Sequence, residues 1–100
     1  MIALDDSNFS KNAKSPILVM FKADFAGPSL RAEATFDHVE KLVKGEVAVG
    51  KFDLEGNPKI PSKYGVKQIP LFVLFVGGNV VDAVAGDVPA SRIVRLLDDL

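Results

Sequence analysis

Few side chains in this sequence are equipped for chemistry. Its 100 residues include one histidine, His38, and no cysteine. Thiol nucleophiles, disulfides and dithiol redox exchange are therefore excluded, and so are cysteine-based metal sites. A serine hydrolase would need Ser29 as nucleophile and His38 as base. If both lie on one helix, nine residues separate them by about 13.5 Å of rise and about 900° of turn, which puts them on opposite faces. Ser29 is instead expected to cap or solvate a first helical turn. His38, beside Asp37, Glu40 and Lys41, is expected to be a solvated surface residue without companions for a metal. Asp24 is isolated, so no two-carboxylate mechanism is available. Asp98 and Asp99 are expected at a solvated helix end. Gly77-Gly78 lacks the strand–glycine–helix context of a phosphate loop. No catalytic constellation, cofactor site or metal site is expected.

The composition fits one globular domain spanning 1–100. Hydrophobic residues make up 48% and charged residues 25%, with a formal net charge of −1. That balance offers no pull on a phosphate backbone or an anionic lipid surface, so neither nucleic acid nor membrane is an expected partner. Asp5 and Asp6 follow Met1 closely, which does not fit a signal peptide. The longest strongly apolar stretch, Ile69 to Val76, is far short of the roughly twenty residues of a membrane helix. A soluble, cytoplasmic-type monomer is expected.

Apolar runs alternate with amphipathic segments, the pattern of a mixed α/β sheet. Ile2 to Leu4 reads as a short strand, and Asp5, Asp6 and Ser7 are cap-type residues before a helix ending near Lys14. The continuous run Ile17 to Phe21 predicts a strand buried on both faces. Pro28 suits a first helical position. Beyond it Ala32, Phe36, Val39 and Val43 mark one buried stripe, and Gly45 is a natural stop. A strand follows over 47–54. Asn57-Pro58 is a cap and first turn for a short helix. Leu71 to Val76 and Val80 to Ala85 flank Gly77-Gly78-Asn79 as a hairpin with a loop of two or three residues. The last helix follows Pro89, with Ile93, Leu96, Leu97 and Leu100 on its inner face. The predicted order is βαβαβαββα.

These elements carry several local strings: Phe25-Ala26-Gly27-Pro28-Ser29, Asn57-Pro58, Lys63-Tyr64-Gly65-Val66, Ile69-Pro70, Phe75-Val76-Gly77-Gly78 and Gly86. In this order and at these spacings the sequence resembles the thioredoxin family over nearly its whole length. The resemblance implies a three-layer α/β/α sandwich with a mixed five-stranded sheet and four helices. It also implies an active site at the start of the second helix, where the family carries Trp-Cys-Gly-Pro-Cys. There the helix N-terminus stabilises a thiolate that attacks a disulfide, and a second thiol resolves the product. Here the corresponding run is Phe25, Ala26, Gly27, Pro28 and Ser29, with neither thiol present. The family's buried acid corresponds to Met20, its upstream Trp to Lys22 and its helix-kinking proline to Ala34. Lys51 matches the lysine near the buried acid, now without that partner. By the same resemblance Ile69-Pro70 is cis, and Phe25, Leu54, Ile69, Pro70 and Gly86 line a groove for extended peptides, with Asp87, Lys22 and Asp24 at its rim.

The leading reading is a redox-inactive, engineered or computationally redesigned scaffold that requires no partner and no cofactor. The alternative is a natural peptide-binding module using the groove. A cysteine-replaced trapping variant fits less well, because such a variant would keep the buried acid and the tryptophans.

Overall fold

The computed structural model describes the backbone of residues 1–24 and 27–100 and the side chains of 1–24 and 29–100. Its strands are β1 (Ile2–Leu4), β2 (Ile17–Lys22), β3 (Ala48–Asp53), β4 (Leu71–Val76) and β5 (Asn79–Ala85). Its helices are α1 (Phe9–Asn12), α2 (Gly27–Leu42), α3 (Lys59–Lys63) and α4 (Ala90–Val94), the last passing into a 3₁₀ turn over Arg95–Asp99. The sheet runs β1-β3-β2-β4-β5. β1 and β2 lie parallel to β3, while β4 is antiparallel to both β2 and β5.

β2 sits at the centre, which is why its run is apolar without alternation. Leu18 and Met20 pack on one face with Phe36, Val39, Phe72 and Ile93, beneath α2 and α4. Ile17, Val19 and Phe21 pack on the other with Phe9, Phe52, Ile60 and Phe75, beneath α1 and α3. The predicted stripe of α2 is buried as expected: Ala32, Phe36, Val39 and Val43 are each at most 1% exposed. Gly50 on β3 is required by close approach, since a Cβ there would lie 2.7 Å from Leu4 Cδ1. The loop between β4 and β5 is two residues. Gly77 and Gly78 have φ of 59° and 78°, the double positive φ that favours glycine in such turns. β5 starts at Asn79 and loses register between Leu74 and Phe75, where Val81 is skipped.

Three local expectations are corrected. Asp6 and Ser7 do not cap the helix that follows them, whereas Asp5 caps the turn that leads into it, its carbonyl accepting from Phe9 N–H at 3.1 Å. The Asp5 carboxylate accepts from the backbone N–H groups of Ser7 and Asn8 and from the Ser7 hydroxyl, and α1 shrinks to one turn. Asp6 caps α3 instead: Oδ2 accepts from Lys59 N–H and Oδ1 from Ile60 N–H, both at 2.9 Å. Asn57 therefore does not cap α3; its side-chain oxygen accepts from Asp6 N–H at 3.1 Å. The two loops clasp each other reciprocally. Finally, Leu100 is 55% exposed, because the tighter 3₁₀ winding carries the last residues off the apolar stripe.

Candidate functional site

The ends of β2 and β3, the start of β4 and the end of β5 converge at one edge of the sheet, beside the start of α2. The main chain stitches this edge together. Leu54 N–H donates to Lys22 O at 2.9 Å, and Gly86 N–H donates to Pro70 O at 2.8 Å. The Ile69–Pro70 bond is cis, and Gly86 has φ +98°. Pro70 is buried, while Leu54, Ile69, Leu71 and Gly86 are half-buried. Four of the five expected groove residues are thus at one edge. Phe25 and Ala26 lie outside the described residues.

Beneath this edge the chemistry is apolar. Met20 is fully buried in the cluster formed with Leu18, Phe36 and Phe72. Its neighbour on β3 is Lys51. That lysine is not left without a partner, as the sequence suggested. Its Nζ lies 2.8 Å from Asp37 and 3.6 Å from Glu33, both on α2. Glu33 also reaches Lys22 at 2.7 Å, and Lys22 contacts Asp24 directly and Asp53 at 3.7 Å. The two lysines on adjacent strands share Glu33, and a continuous ion network ties β2 and β3 to α2. Burial of the Lys22 ammonium works against its charge. The hydrogen bonds and negative charge of Asp24 and Glu33 outweigh that cost and hold its pKa above the ordinary lysine value.

Ser29 also departs from expectation. It is neither a cap nor solvated: it is fully buried, and its Oγ has no hydrogen-bond partner among the described residues. At the rim, Asp87 is not free charge, since its Oδ2 meets Arg31 Nε at 2.8 Å. Ala34 is exposed on α2 and His38 is exposed with it. Asp99 carries a signal no local pattern announced. A hydrogen bond with Asp82, then lost solvation and the Asp82 and Asp98 charges, raise its carboxyl above the ordinary value. Asp82 is on β5, so the pairing needed the tertiary fold to become visible.

Among the described residues no group of three potential ligands is disposed to hold a metal, and no helix is long and apolar enough to cross a membrane. With no cysteine in the sequence, no dithiol exchange is open to the chain. What the edge can offer is a backbone rim over half-buried apolar side chains.

A family model described as thioredoxin matches residues 1–99. Thioredoxin 1 of Nostoc sp. (strain PCC 7120) is 32% identical over 96 residues, covering 93% of this chain and 90% of that protein. A thioredoxin of Rickettsia felis is 38% identical over 84 residues, covering 81% of this chain and 80% of its own. A thioredoxin of Griffithsia pacifica is 34% identical over 86 residues, covering 86% of this chain and 79% of that protein.

Proposed function

We propose that this chain, which belongs to the thioredoxin family, is a redox-inactive scaffold with no catalytic activity, its redox apparatus removed by redesign. The observation that carries this reading is Met20, fully buried among apolar side chains where the family resemblance implies an acid. Exchanging a desolvated carboxylate for a thioether removes a charge penalty and fills space. Alanine at 34 and a lysine paired by three carboxylates at 22 point the same way: each replacement suits helix propensity or ion pairing, and neither supplies a nucleophile or an acid.

One observation favours the second reading, a natural peptide-binding module. The Ser29 hydroxyl, buried and without a partner among the described residues, is a group that redesign for packing would eliminate. An extended peptide would then run along Leu54, Ile69, Pro70 and Gly86, using main-chain and apolar contacts.

A ¹H–¹⁵N titration with extended apolar peptides, beside urea unfolding, separates the two. The scaffold reading expects cooperative unfolding and an unresponsive spectrum. Saturable shifts at Leu54, Ile69 and Gly86 at micromolar peptide would overturn it in favour of the module.

A further inference from the structure

We propose that the concavity at the opposite end of the sheet, between α1, α3 and the β4–β5 turn, is a docking site for an acidic peptide segment that also carries apolar side chains. This site is independent of the redox edge: β4 runs away from Pro70 and reaches the concavity only at Gly77. The hollow has a volume of about 510 Å³ and is lined by Phe9, Ala13, Tyr64 and Gly78, with Lys14 and Lys63 beside them. Its shape is held firmly. Tyr64 Oη donates to Gly78 O at 2.6 Å, Gly78 N–H donates to Ala13 O at 2.9 Å, and the Tyr64 ring packs against Phe9 and Phe75 with centroids 5.7 and 5.0 Å away.

The charge around it is one-sided. The segments 7–16 and 56–69 contain Lys11, Lys14, Lys59, Lys63 and Lys67 and no aspartate or glutamate. All five lysines are exposed, and none forms an ion pair among the described residues, whose paired cations are the N-terminus, Lys22, Arg31 and Lys51. Of these five, Lys14 and Lys63 line the hollow. In a chain of net charge −1, two exposed, unpaired cations, Lys14 and Lys63, lining a preformed hollow beside the Tyr64 ring are complementary to an acidic, partly apolar chain.

Other polyanions fit less well. A nucleic-acid base would need an open aromatic face to stack on, but Lys63 Nζ lies over the Tyr64 ring, 5.4 Å from its centroid. A membrane would need an apolar wedge. The exposed large apolar residues, Met1, Leu30, Leu42, Val80, Val81 and Leu100, do not line the hollow.

The test is a ¹H–¹⁵N titration of the full chain at low salt with an N-acetylated, C-amidated hexapeptide alternating glutamate and leucine. The same peptide with glutamine for glutamate runs beside it. The expected result is saturable shifts at Ala13, Lys14, Tyr64 and Gly78, with the glutamine peptide at least tenfold weaker. Lys14→Glu combined with Lys63→Glu is expected to weaken binding about tenfold, the sum of two screened ion pairs. Both lysines are exposed, so the variant should keep a dispersed spectrum; Lys14→Gln with Lys63→Gln gives the same comparison without charge reversal. Absence of saturation, equal binding of the glutamine peptide, or indifference to both variants overturns the proposal. So does a response confined to Leu54, Ile69 and Gly86, which would mark the other edge as the peptide site. Binding of oligothymidylate or phosphatidylserine vesicles at this face while the peptide is silent also overturns it.

Discussion

Restoring a carboxylate beneath the former redox edge, by Met20→Asp, tests whether that position is now committed to packing. Met20 is fully buried. Truncating such a side chain costs about 2–5 kcal/mol, and an unpaired polar group in its place costs about 1–3 kcal/mol more. Met20→Asn carries the same two penalties without ionising, so it is the reference. The aspartate adds a further, pH-dependent penalty. Lys51, its neighbour across the strand, is already held by Asp37 and Glu33, so nothing stands ready to pair the new charge and desolvation dominates. A fully buried carboxyl can be raised by about 3 units, each worth about 1.4 kcal/mol. With its folded pKa above its unfolded one, the native state holds the proton longer. The aspartate variant should match the asparagine variant near pH 4 and fall behind as pH rises towards the folded pKa. At pH 8 the gap should be about 4 kcal/mol, a large part of a stability of about 5–15 kcal/mol. Urea unfolding followed by circular dichroism between pH 4 and 8 measures it. Two variants that track each other across the range would refute the reasoning, since Lys51 would then have left α2 to neutralise the acid.

Asp6→Ala should cost about 2 kcal/mol through loss of the α3 cap; a change under about 0.5 kcal/mol by chemical denaturation would mean that water replaces the carboxylate there. Gly50→Ala should destabilise by about 1–3 kcal/mol through its clash with Leu4, and Leu4→Ala in the same chain should relieve part of that strain in a double-mutant cycle. Ser29→Ala should raise stability by about 1 kcal/mol by removing from a helix a buried hydroxyl that has no partner among the described residues; a loss of stability would show that the hydroxyl is satisfied. Because Lys22 is held above its ordinary pKa, its contribution is fully present below the unfolded lysine value of about 10.4 and is lost as pH rises through the folded one. The stability gap to Lys22→Met should therefore persist to about pH 10 and close only in stronger alkali, by the same urea measurement.

The main elements were legible because their signals are local. The unbroken Ile17 to Phe21 run predicts the central strand, the spacing of Ala32, Phe36, Val39 and Val43 predicts the inner face of α2, and paired glycines mark the hairpin. The errors share one cause, which is partners distant in sequence. Asp6 looks like a cap for the next helix, yet its acceptors serve amides at 59 and 60. Lys51 looks unpaired when only the family's acid is considered, and it takes α2 carboxylates instead. Ser29 has the composition of a solvated first turn, and only packing of α2 against the sheet buries it. In the groove, the positions of Leu54, Ile69, Pro70 and Gly86 followed from the resemblance. No local pattern predicts the hydrogen bond between Gly86 and Pro70.

The register slip in β5 bears on what happens when many copies of the chain meet. β1 and β5 are the two open flanks of the sheet, where unpaired amides and carbonyls can recruit a strand from another molecule. β1 is three residues long, too short to template much. β5 is seven residues long and exposes Val80 and Val81, which makes it the vulnerable flank. The irregularity at Val81 bends that strand, and the exposed Asp82 adjoining it sets a charge where an incoming strand would have to lie flat. Straightening the bulge while neutralising Asp82 would turn a self-limiting sheet into a seed for fibrils.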